Sequence, residues 1–94
     1  MFVTTKQLHL SKIEKLIARF SNKPKDLTWD ELVLILAYYG YYELPTGKTG
    51  GSRRKFMNAE QGVLSIHKPH PKLIVKGYVI EQLIVQLKEK GKLK

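Results

Sequence analysis

Two short segments carry side chains with reactive or anion-gripping chemistry. In His67-Lys68-Pro69-His70-Pro71 two imidazoles stand three residues apart. A neutral imidazole can take the proton of a ribose 2′-hydroxyl and an imidazolium can protonate a departing 5′-oxygen, so the pair has the parts for RNA cleavage. The segment also admits a plainer use, in which the two prolines fix a strand-to-helix bend and the histidines cap it. The second segment is Gly51-Ser52-Arg53-Arg54-Lys55-Phe56. Its glycine lets a ligand approach the backbone, Ser52 offers a hydroxyl, and three successive cations can hold phosphate through charge-assisted hydrogen bonds. Ser52, Arg53, Arg54, Lys55 and Lys68 are therefore the candidate phosphate-binding residues, and His67 and His70 the candidates for proton transfer.

Other chemistries fail on spacing or residue type. Gly47-Lys48-Thr49 resembles the end of a nucleotide-binding P-loop, but the glycine required five positions earlier is Tyr42 and a strand follows instead of a helix. No nucleotide is expected. The chain has no cysteine, which removes disulfides, thiolate zinc sites and thiol nucleophiles. His67 and His70 have no further His or acidic ligand close by, so no metal is expected. The first two helices do not form a helix-turn-helix reader, because the second is apolar and carries Asp30 and Glu31 without Lys or Arg.

The charge points the same way as the cationic segment. Of 94 residues, 17 are Lys or Arg and 8 are Asp or Glu, a formal charge of +9. Residues 1–45 hold six cations and five anions, whereas residues 46–94 hold eleven and three. A polyanion is the expected partner, nucleic acid before acidic protein, since nucleic acid also releases condensed counterions. No apolar run approaches the roughly 20 residues of a membrane span. The opening Met1-Phe2-Val3-Thr4-Thr5-Lys6 lacks the order of a signal peptide, so a soluble, cytoplasmic protein without a membrane partner is expected.

The elements that must position these residues are legible from caps and periodicity. Ser11-Lys12-Ile13-Glu14 and Thr28-Trp29-Asp30-Glu31 are capping boxes opening helices over 11–21 and 28–39. Ile13, Leu16, Ile17 and Phe20 form one stripe of the first, while the second is apolar nearly all round and ends at Gly40. Strands are expected at 41–44, 52–58 and 63–67, with a hairpin turn at Ala59 to Gly62. A last helix over about 75–90 carries Ile80, Leu83, Ile84 and Leu87 inward and stops at Gly91. The fold class is α+β, order α-α-β-β-β-α, with helices on one face of a three-stranded antiparallel sheet. Alternation then turns Arg54, Phe56, Leu64 and Ile66 toward the helices and Arg53, Lys55, Ser65 and His67 outward. Arg54 beside Phe56 needs a partner or a place at the strand end.

In combination these segments resemble the HicA family of bacterial toxins over about residues 28–94. The likeness lies in the helix ending Tyr39-Gly40-Tyr41, the glycine-rich connection, Gly51-Ser52-x-x-x-Phe56, the hairpin, the His-Pro segment and the final helix ending Lys90-Gly91. It is similar to a branch with Gly-Ser-Arg and His-x-Pro-His-Pro motifs, here Gly51-Ser52-Arg53 and His67-Lys68-Pro69-His70-Pro71. The resemblance implies a fold like a double-stranded RNA-binding domain, messenger-RNA interferase activity without a cofactor, and a HicB-like antitoxin as partner. The chain is expected to be a single domain, 1–94, in which 1–27 is an N-terminal helical extension of the family core at 28–94.

One position departs from the family. Its usual motif is Gly-Ser-His-x-x-x-Phe or a close spacing variant, and catalysis is ascribed to that histidine, where this chain has Arg53. A guanidinium stays protonated at neutral pH and can only hold phosphate or stabilise developing charge. Either His67 and His70 have taken over proton transfer with Arg53 as an electrostatic clamp, or the chain binds RNA without cutting it.

Overall fold

The computed structural model describes residues 11–45, 53–60 and 62–93. The glycine-rich connection and Ser52 lie outside the described residues. Helix α1 spans Lys12–Ser21 and α2 spans Trp29–Tyr38; strands β1, β2 and β3 span Tyr42–Glu43, Arg53–Met57 and Val63–His67; helix α3 spans Gly77–Glu89.

Both capping boxes form. Ser11 Oγ accepts from the Glu14 N–H at 3.2 Å while the Ser11 N–H donates to Glu14 Oε1 at 3.0 Å. Thr28 and Glu31 repeat the exchange at 3.1 and 2.9 Å. At the other end of α2, Gly40 adopts φ +90°, a left-handed conformation that costs glycine nothing. That turn lets the Gly40 and Tyr41 N–H groups donate to the Ala37 and Leu36 carbonyls at 3.0 and 2.8 Å, closing a Schellman motif. Gly91, at φ +75°, closes α3 in the same way. Lys23 fills the equivalent place after α1 at φ +55°, just before Pro24.

Helix α3 begins two residues later than its periodicity predicts, because Val75 has another backbone partner. Its N–H donates to the Leu27 carbonyl at 2.8 Å and the Trp29 N–H donates to the Leu73 carbonyl at 2.9 Å, an antiparallel bridge between Thr28 and Ile74. The bridge ties the stretch between the His-Pro segment and α3 to the start of α2. Strand β1 is likewise shorter than expected, since Tyr41 is engaged in closing α2.

The sheet is antiparallel in the order β1-β2-β3. In the β2–β3 ladder Arg53 faces His67, Lys55 faces Ser65 and Phe56 faces Leu64. One sheet face contributes Phe56, Leu64 and Ile66 to a core shared with Phe20 of α1, Trp29, Leu32, Ile35 and Leu36 of α2, and the α3 stripe Ile80, Leu83, Ile84 and Leu87. Trp29 and Phe56 meet as tilted rings, centroids 5.9 Å apart. The hairpin is held by a residue that periodicity does not reveal: buried Asn58, whose Oδ1 accepts from the Glu60 and Gly62 N–H groups at 3.0 and 2.7 Å.

Two groups in this framework generate tests. The Tyr41 hydroxyl is buried and has no hydrogen-bond partner among the described residues. A buried unsatisfied hydroxyl costs roughly 1–3 kcal/mol, so Tyr41→Phe should raise the urea midpoint, with a gain of about 1 kcal/mol. A fall in the midpoint would mean that the hydroxyl is satisfied. Glu31 is held below the ordinary carboxylate range, first by the Thr28 backbone N–H and then by the Arg19 guanidinium, which donates at 3.1 Å, against an opposing desolvation. A depressed carboxylate stabilises the fold above its unfolded-state pKa of about 4.3 and loses that contribution as pH falls through the folded value. Glu31→Gln should therefore be less stable than wild type at pH 7, and denaturant titrations should show the gap closing in acid.

Candidate nucleic-acid interface

The hairpin sorts its side chains by parity. Arg53, Lys55, Ser65 and His67 are all exposed on the side opposite the core, as alternation requires. Arg53 and His67 are directly opposed across the ladder, a placement that sets Cβ atoms about 4.5–5.5 Å apart. Arg53 does not extend straight into solvent. Its Nη1 donates to Ser65 Oγ at 3.2 Å, so the guanidinium lies diagonally across β3. At the far end of the same face, Tyr42, Met57 and Val63 form an apolar cross-strand row. The exposed face thus grades from apolar to cationic along the hairpin.

The structure separates the other candidates. Arg54 turns toward the core side, where its Nε lies 3.3 Å from Glu43 Oε2 on the neighbouring strand. Glu43 is the partner that a cation beside Phe56 requires. Lys68, one residue past His67, lies on the opposite side from it and places its Nζ 5.9 Å from the Trp29 ring centroid, a cation–π contact. His70 is exposed, follows buried Pro69 and is joined to Pro71 by a cis peptide bond. Of the seven candidates, Arg53 and His67 come together and Lys55 shares their face. Arg54 and Lys68 serve the other side, and Ser52 falls outside the described residues.

The cationic end of the face is not flat. Arg53, Ser65 and His67 form one wall of a groove of about 210 Å³, and Tyr78, Gln82 and Gln86 of α3 form the other. Its base is Ile66 and Leu83, which belong to the core. His70 is not in the lining. The α3 residues escape sequence reasoning because they lie off the apolar stripe, and only packing of that stripe under β3 brings them to the strand. Their four-residue spacing marks them as one row of the helix.

Among the described residues, no three His, Asp or Glu side chains gather into a set suited to a metal ion. No described helix is long and apolar enough to cross a membrane. No family model matches the chain, and neither a curated protein nor a solved structure matches it.

The two arginines of β2 should behave differently on truncation. Arg54 is part-buried and ion-paired, whereas Arg53 is exposed and makes one hydrogen bond to an exposed serine. Arg54→Ala should lower unfolding stability by about 1 kcal/mol or more, while Arg53→Ala should stay within about 0.5 kcal/mol of wild type. Equal losses in urea denaturation would show that Arg53 is also a structural residue.

Proposed function

We propose that this protein is a HicA-like toxin that binds single-stranded RNA in the groove beside β3 and cleaves it without a metal ion. The observation that carries this is the Arg53–His67 pair. A permanent cation and an imidazole are opposed on the exposed face of the hairpin, with Ser65 accepting a hydrogen bond from the guanidinium. Arg53 and Lys55 grip the phosphate, and the Arg53 guanidinium stabilises the charge that develops on it. Neutral His67 takes the proton of the 2′-hydroxyl, the O2′–P bond forms, and the P–O5′ bond breaks. The 5′-oxygen leaves with a proton from the His70 imidazolium, and the products are a 2′,3′-cyclic phosphate and a 5′-hydroxyl. The two histidines are three positions apart in the chain, so their Cα atoms are at most about 11 Å apart, a span that a scissile phosphate can bridge. The excess of cations in the second half of the chain also suits a HicB-like antitoxin that covers the groove with acidic groups.

A second reading has its own support. His70 stands outside the groove lining and Arg53 cannot accept a proton, which leaves His67 as the one imidazole in the groove among the described residues. In that reading the chain is a non-catalytic RNA-binding module held by an antitoxin-like partner.

The decisive experiment incubates purified protein with end-labelled single-stranded RNA in excess chelator. Wild type should cut the RNA, leaving cyclic-phosphate ends. His67→Ala with His70→Ala should lose roughly 10²–10⁴-fold in rate while still binding. Binding without cleavage by wild type would establish the second reading. Absence of binding at low salt would remove both.

A further inference from the structure

The groove has two chemically different walls, and the phosphate-gripping role uses only one. On α3, Tyr78, Gln82 and Gln86 recur every fourth residue and all face the groove from exposed positions. None is charged. A phenol ring offers a stacking surface, and each amide both donates and accepts hydrogen bonds, the combination needed to read the edge of an unpaired base. The neighbouring surface of the same helix disfavours phosphate: Glu81 and Glu89 adjoin Tyr78, Gln82 and Gln86 there. A phosphate is thus favoured beside Arg53 and Lys55 over a place beside Glu81 or Glu89.

From this division we infer that Tyr78, Gln82 and Gln86 form a nucleobase-reading wall. The base of a nucleotide whose phosphate lies on Arg53 turns toward α3, stacks on Tyr78 and is hydrogen-bonded by the two glutamines. The volume suits such an occupant: at about 30 Å³ per water molecule, the groove holds the equivalent of roughly seven waters. Its base of Ile66 and Leu83 gives the ring edge an apolar floor. Sequence preference therefore resides on α3 and phosphate affinity on the hairpin.

This inference rests on the RNA-binding reading, and the test keeps the two apart. Fluorescence anisotropy would compare four homopolymeric single-stranded RNAs, 2′-O-methylated so that they cannot be cut, with an abasic chain of equal length and the same modification, across a salt series. Wild type should bind at least one homopolymer more tightly than the abasic chain. Tyr78→Ala should remove on the order of tenfold of that advantage, and Tyr78→Phe should restore it. Gln82→Ala with Gln86→Ala should level the four homopolymers without changing the salt slope. Arg53→Ala should make the slope shallower by about 0.7 and leave the preference intact. If Arg53→Ala weakens binding while the three α3 substitutions alter neither affinity nor preference, the base-reading wall is wrong and RNA binding stands. If wild type binds none of the five probes at low salt, the RNA-binding reading itself fails and the wall falls with it.

Discussion

A slip of one residue between β2 and β3 would turn one strand of the hairpin over relative to the other. Either Phe56, or Leu64 and Ile66 together, would move into water, and Arg53 and Lys55, or Ser65 and His67, would be driven into the apolar layer. Losing the burial of Leu64 and Ile66 costs about 3–6 kcal/mol, a large part of the roughly 5–15 kcal/mol net stability of a small domain. Register is therefore enforced by the core, and the exposed face is specified as its by-product. Asn58 adds a second lock, because its carbonyl oxygen holds two backbone N–H groups of the turn and so sets where β3 begins. The opposition of Arg53 and His67 follows from these two constraints.

The same parity distributes the cations, and each destination has a different physical basis. Arg53 and Lys55 are exposed to water on the face opposite the core. Arg54 falls on the side with Phe56, where a guanidinium is tolerated because Glu43, on the adjacent strand, is within 3.3 Å. Lys68 falls on that side as well and lies over the face of Trp29, which exchanges hydration for the ring quadrupole. A run of Lys and Arg in sequence is thus two populations in space. One helps to hold strand edges and the bend against the core, and the other is available to a ligand.

Local signals made much of this legible in advance. The capping boxes, the glycines at 40 and 91 and the alternation of β2 and β3 are all encoded within a few residues of where they act, so the helices, strands and face assignments follow from the chain itself. Features that depend on distant packing were not readable. The late start of α3 comes from a backbone bridge to Leu27, some fifty residues earlier. The second wall of the groove comes from α3 packing under β3, which turns Tyr78, Gln82 and Gln86 toward the strand although nothing in their own spacing names that neighbour. Arg54's need for a partner was visible from its parity, but not that Glu43 would supply it.

The first helix is more than an appendage to this arrangement. Phe20 of α1 and Leu27 of the following loop are fully buried in the common core, and Arg19 reaches both Asp26 and Glu31. Glu31 in turn caps α2 through the Thr28 N–H, and the residues beside Thr28 carry the bridge to Leu73 and Val75. A continuous set of contacts therefore runs from α1, through the start of α2, to the segment between His70 and α3. A sheet with three strands, one of them two residues long, offers little area of its own, and small domains bury a smaller fraction of their surface than large ones. Helix α1 offsets that shortage, and it does so at the point where the chain turns from the histidines into the helix that walls the groove.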